Sequence, residues 1–156
     1  MPGARNFTQD SDLLRAVLDI VIPRREDGML PSAGALGLDA PVADGLRRDD
    51  RYGPSVEAGL AALQEAAVRR HPDGFLALGP DEQLAVFESQ LEDHPALVRG
   101  ITRHLYLPYY QHPTVLAGLG QPARPPFPEG FEVEETDPEL LELLEPRRIG
   151  PPDAED

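Results

Sequence analysis

Large apolar residues recur along this chain at helical spacing, and prolines and glycines cut the pattern into short segments. Leu14, Val17, Leu18 and Val21 share one face of a helical period, after an acidic start holding Asp10 and Asp12. Carboxylates suit the positive end of a helix dipole, and Pro23 ends the segment. Gly28, Pro31, Gly34 and Gly37 make residues 24–38 a loop. A short helix is expected over 40–48, with Pro41 in the first turn, where its missing amide is no loss. Gly53-Pro54-Ser55 opens the next helix, striped by Val56, Leu60, Leu63 and Ala67 and stopped by His71-Pro72-Asp73-Gly74.

Phe75, Leu76 and Leu78 lead into Gly79-Pro80-Asp81-Glu82-Gln83, a helix start with proline and two acids in its first turn. Leu84, Phe87 and Leu91 are expected to face inward from that helix, which Asp93-His94-Pro95 breaks. Leu97, Val98, Ile101 and Leu105 stripe the last long helix, and Pro108 is expected to close or kink it. Residues 113–119 add one short turn. No segment alternates apolar and polar residues in the manner of a strand, so the expected fold is all-α, a small bundle of four to five helices.

The pattern changes after Gly120. Proline recurs eight times in residues 121–156, which excludes helix interiors and central strands and leaves extended or polyproline II chain. The chain thus divides into a helical domain, 1–120, and an extended Pro-rich arm, 121–156. The arm holds eleven acids against three arginines, a net −8 of the −14 carried by all 156 residues. Phe127, Phe131 and the Leu140 to Leu144 patch need a surface to bury them. That surface is either the chain's own domain or another protein.

Charge narrows the partners. A net −14 argues against nucleic acid and against adsorption to anionic lipid, and no apolar stretch approaches the length of a membrane span. The absence of cysteine removes disulfides and thiolate chemistry. No basic segment leads into an apolar core near Met1, so no export signal is expected of this sequence, and Arg24-Arg25 is flanked by Glu26-Asp27.

Catalytic patterns are missing. His71, His94, His104 and His112 form no His-x-x-x-His pair, and histidine near a helix C-terminus is explained by the carbonyls there. The serines stand in no Gly-x-Ser-x-Gly elbow. Gly118-Leu119-Gly120-Gln121-Pro122-Ala123 fits a loose dinucleotide pattern, but it follows a helix, and Pro122 falls where amides should donate. Neither a catalytic, a metal-binding nor a cofactor-binding residue is assigned. Tyr106, Tyr109, Tyr110 and Phe127 remain. They either cap the core and pack beneath the arm or form an interface, where tyrosine gives contact area with little entropy to lose. On the interface reading Tyr109 and Tyr110 stand at a rim beyond Pro108. The partner-contacting set is then Tyr106, Tyr109, Tyr110, His112, Pro125, Pro126, Phe127, Phe131, Leu140 and Leu144.

Four passages carry a resemblance. Leu13-Leu14-Arg15-Ala16-Val17-Leu18-Asp19-Ile20-Val21-Ile22-Pro23 resembles the opening helix of the gluconate 2-dehydrogenase subunit 3 family. The run from Tyr52 to Leu63 resembles its second signature, and Phe75-Leu76-Ala77-Leu78-Gly79-Pro80-Asp81-Glu82-Gln83 its F-x-x-L-x-P-x-E-Q segment. Leu105-Tyr106-Leu107-Pro108-Tyr109-Tyr110-Gln111-His112-Pro113 lies where the family has an aromatic stretch followed by proline. The resemblance spans about residues 10–130 and implies a small non-catalytic subunit that stabilises a large FAD-dependent dehydrogenase of the glucose-methanol-choline type, sometimes with a cytochrome c subunit. The FAD would belong to the large partner. Members with a twin-arginine signal help to export that partner. Without one, the expected location is cytoplasmic, the alternative being periplasmic by co-export. Two other classes compete: a stand-alone helical protein-binding module with a regulatory acidic tail, and a helical hydrolase or metal enzyme built on the histidines.

Overall fold

Residues 11–122, the part of the chain that the computed structural model describes, hold five helices of ten residues or more and one short sixth helix. They are α1 (Ser11–Val21), α2 (Asp39–Arg48), α3 (Gly53–Val68), α4 (Pro80–Ser89), α5 (Ala96–Tyr110) and α6 (Pro113–Gly118), with a 3-10 turn at Phe75–Ala77 before α4. Among the described residues there is no strand, so the architecture is the all-α bundle that the spacing implies. The core is mainly aliphatic, closed by Phe75, Phe87 and Tyr109.

α5 is the hub, in contact with α1, α2, α3 and α6. Its residues Leu97, Ile101, Leu105 and Tyr109 are buried, each four positions from the last, which puts them on one inward stripe. Against α3 the two backbones approach closely because glycines stand at the crossing. A methyl group at Gly59 would touch Leu97 at 3.1 Å, and one at Gly100 would strike Val56 Cγ2 and press on Tyr52 Cβ.

α1 and α2 are joined by polar groups. Asp39, in the first turn of α2, is 6% exposed. Arg15 Nε donates to its Oδ1 at 3.1 Å, Arg15 Nη2 to its Oδ2 at 3.2 Å, and the Ser11 hydroxyl donates to Oδ2 as well. The loop after α1 is tied by Ala33 N–H to Ile22 O and Arg25 N–H to Leu30 O, both 3.0 Å, and by Gly34 N–H to Asp19 Oδ1 at 2.7 Å.

The turn before α4 explains its motif residue by residue. Phe75 is fully buried and Leu78 nearly so. Phe75 N–H donates to Gln64 Oε1 and its carbonyl accepts from Gln83 Nε2, each at 3.1 Å. Pro80 takes the first helical position, and the Glu82 carboxylate caps Gly79 N–H at 3.3 Å. Gly74, at φ 79°, reverses the chain where a side chain would be strained and would collide with Gln64.

Two expectations change. Leu84 is 44% exposed, whereas Val86 and Phe87 are buried. α4 ends at Ser89, so the helix is too short for a stripe reaching Leu91, which packs on the core from the turn beyond. Pro108 does not end α5, which continues to Tyr110. The proline ring removes the donor for the His104 carbonyl, and the buried stripe on either side holds the helix together across the gap.

Substituting Gly100 by Ala should therefore destabilise the chain by ~1–3 kcal/mol through overpacking between α3 and α5. Gly59→Ala should cost less, because its contacts with Leu97 Cδ1 at 3.1 Å and Cβ at 3.3 Å are looser and alanine gains about 1 kcal/mol of helix propensity in return. Chemical denaturation of the two variants checks the difference.

Acid should unfold the protein through its paired carboxylates. Burial pushes the Asp39 carboxyl up, but the Arg15 and Ser11 donors outweigh it and leave it below its ordinary value. Asp49 is also held low, first by the Tyr52 N–H and then by His104. The folded state therefore binds fewer protons than the unfolded chain in this range, and stability rises with pH across it. It is fully present above the ordinary carboxylate value of about 3.9 and is lost as pH falls through the folded values. Asp39→Asn should lower stability at neutral pH by ~1–3 kcal/mol and flatten the acid limb. Urea titrations repeated from neutral pH into acid would measure both effects.

Candidate functional site

Burying one side of α5 turns the other side outward, and its residues are unusual for a solvated face. Arg99, Thr102, Arg103, Tyr106, Leu107 and Tyr110, together with Tyr52 at the start of α3, line an open groove of about 720 Å³. Tyr106 is 52% exposed, Leu107 65% and Tyr110 51%. The spacing of Arg99, Arg103, Tyr106 and Tyr110 follows i, i+4, i+7 and i+11, which is one side of a helix. The Tyr106 and Tyr110 rings meet edge to face with centroids 6.2 Å apart, and the Tyr110 ring meets that of Tyr109 the same way at 5.2 Å. These contacts hold the exposed rings in place without burying them.

The corner between α2 and α3 supplies the other wall. Asp49, just after α2, accepts the N–H groups of Arg51 at 2.9 Å and Tyr52 at 3.0 Å, which sets the start of α3. His104 Nε2 lies 2.9 Å from Asp49 Oδ2, and Arg103 Nε 3.5 Å from the same oxygen, so α5 is clamped to that corner. Gly45 makes room for the imidazole, since a methyl group there would come within 2.5 Å of His104 Nδ1. The Arg51 guanidinium rests 5.1 Å from the Tyr52 ring centre. Arg51, Arg99 and Arg103 thus border the tyrosines with positive charge, on a chain that is −14 overall.

The expected partner-contacting residues separate. Tyr106 and Tyr110 come together on the exposed face. Tyr109 does not join them, which corrects its placement at a rim. Because α5 runs on through Pro108, Tyr109 falls four residues after Leu105 on the inward stripe and is 2% exposed. Its hydroxyl donates to the Pro31 carbonyl at 2.9 Å, and burial, with Tyr110 alongside, raises its pKa and keeps that proton on. His112 caps α6, its Nδ1 accepting from Thr114 N–H at 3.3 Å. Pro125, Pro126, Phe127, Phe131, Leu140 and Leu144 lie outside the described residues.

Sequence reasoning missed Arg99, Arg103, Leu107 and Tyr52. The signal was available in the i, i+4, i+7 spacing of arginines and tyrosines opposite the leucine stripe. The site offers no nucleophile beside a base, and no three His, Cys, Asp or Glu side chains gather as a metal-binding group among the described residues. The arrangement is that of a contact surface: aromatic and aliphatic area edged by guanidinium groups.

Tyr109→Phe should separate the core ring from the exposed ones. It removes the bond to Pro31 and should lower stability by ~0.5–1.5 kcal/mol, while Tyr110→Phe should leave it unchanged. Paired denaturation curves check this.

A family model described as gluconate 2-dehydrogenase subunit 3 matches residues 8–119. No curated protein and no solved structure matches the chain. The matched span takes in all six helices, the pinned turn before α4 and the exposed face of α5. The chain belongs to the gluconate 2-dehydrogenase subunit 3 family, accessory subunits of a dehydrogenase complex.

Proposed function

We propose that this chain is the non-catalytic small subunit of an FAD-dependent glucose-methanol-choline type sugar or polyol dehydrogenase, and that it supports the folding and stability of the large subunit. The observation that carries the reading is the face of α5, where Tyr106, Leu107 and Tyr110 stay half or more exposed within a matched subunit family. Scattered exposed apolar residues are ordinary on a protein surface, but a stripe of three on one helix edged by arginine has the make-up of an interface core. FAD and the redox chemistry belong to the large subunit. The small subunit contributes a preformed surface, so association orders few side chains beyond those already held by ring contacts. A cytochrome c subunit as electron acceptor fits the same assembly. No helix among the described residues is long and apolar enough to cross a membrane.

The test is co-expression with a large FAD-dependent glucose-methanol-choline type dehydrogenase from the same genome. Tyr106→Ala with Tyr110→Ala should weaken the complex by ~2 kcal/mol or more, about thirtyfold in Kd, and leave the melting of the lone chain unchanged. A double variant that co-purifies normally but melts early would put both rings in service of the fold and remove this face from the function.

A further inference from the structure

The polarity of the α5 face says what kind of segment covers it. Arg99 and Arg103 line it, and Arg99 has no carboxylate within ion-pair distance among the described residues. Arg15, Arg25, Arg47 and Arg48 are matched locally, to Asp39, Asp27 and Asp44, and what sets Arg99 apart from other open arginines is its place beside exposed rings. Arg103 reaches Asp49 only at 3.5 Å and is 64% exposed, so its remaining donors face solvent. With two guanidinium groups and no carboxylate in its lining, this face attracts a carboxylate-bearing partner.

The backbone of α5 fixes the form of the occupant. Apart from the His104 carbonyl, whose donor Pro108 removes, the amides and carbonyls of its interior bond within the helix, so the face presents side chains and no strand edge. An extended segment laid over Tyr106 and Leu107 would find no backbone partners for the amides it turns toward this face. A helix brings its backbone already satisfied and packs ridges into the grooves between Arg99, Arg103 and Tyr106. Arg99 and Arg103 are one turn apart, about 6 Å, which matches carboxylates spaced one turn apart on an apposed helix. The face from Arg99 to Tyr110 runs about 16 Å, or three turns.

Resting on the accessory-subunit reading, we propose that the α5 face takes an acidic amphipathic helix of the large subunit. Its carboxylates bind Arg99 and Arg103, and its apolar side chains cover Tyr106, Leu107 and Tyr110.

The full chain and the co-expressed large subunit are titrated against each other at low and high salt, and the complex is mapped by hydrogen exchange. The wild-type Kd should rise with salt. Arg99→Glu with Arg103→Glu should weaken binding about thirtyfold or more and abolish or invert the salt effect, whereas the paired lysine variants should stay within a few fold. The lysine variants should melt as the wild type does; charge reversal at Arg103 sets a carboxylate beside Asp49 and should lower the melting temperature slightly, so Arg99→Glu alone, at an unpaired side chain, is measured beside it. Protection in the large subunit should fall on a helix rich in Asp and Glu. The proposal is overturned if charge reversal leaves Kd unchanged while Tyr106→Ala with Tyr110→Ala disrupts binding, an outcome that still leaves the accessory reading standing. Protection on a basic or extended segment would overturn it too. So would a wild-type homodimer lost on charge reversal, which would make a second copy the occupant. If wild-type chain and flavoprotein do not associate at all, the accessory reading itself fails.

Discussion

The close crossing of α3 and α5 sets the rest of the structure. Gly59 and Gly100 remove the side chains that would hold the two backbones apart, and Leu97 and Val56 fill the space between them. An α-helix pressed this closely has little freedom to rotate about its axis. Once Leu97, Ile101, Leu105 and Tyr109 point inward, Arg99, Arg103, Tyr106 and Tyr110 must point outward. The candidate interface is therefore a geometric result of core packing on the opposite side of the same helix.

Polar contacts then fix the elements that the crossing leaves loose. Asp39 takes the charge of Arg15 and the hydroxyl of Ser11 and joins α1 to α2. Asp49 joins the end of α2, the start of α3 and the middle of α5. Asp39 stands at the end of the long connection from α1 and Asp49 in the short one between α2 and α3, where a directional bond fixes an orientation that apolar contacts leave free. The second clamp also sets the wall of the groove, because Tyr52 follows from Asp49 by three residues and its amide is one of the groups Asp49 holds.

Most of this was legible along the chain. Helical spacing of large apolar residues identified every long helix, and Pro and Gly marked their starts closely, while α4 stops at Ser89, short of the break expected at Asp93, and α5 runs past Pro108. Legibility failed where a tertiary constraint overrode a local rule. Pro108 is a helix breaker by its chemistry, yet Leu105 and Tyr109 are buried on either side of it, and that burial outweighs one lost hydrogen bond. The same misjudgement put Tyr109 at a rim, although continuing the Leu97, Ile101, Leu105 series by four places would have reached it. Leu84 was misread for a different reason. A ten-residue helix buries too few turns for its period to be fixed, and the adjacent pair Val86 and Phe87 takes the inward position. Arg99 and Arg103 passed as ordinary surface because a guanidinium is informative only beside the exposed rings that the fold gathers around it.

The two sides of α5 differ in what they contribute. The inward stripe closes a core whose buried side-chain polar atoms all have partners among the described residues, so folding does not depend on covering the outward one. Leaving that face open costs the free chain little, since each tyrosine keeps its hydroxyl in water and the rings shield part of one another. An interface of this kind can strengthen or weaken without unfolding the subunit, because its residues share a helix with the core but not its burial. That separation of core from surface does not require a second element. Here it follows from a single helix packed tightly on one side and left aromatic and basic on the other.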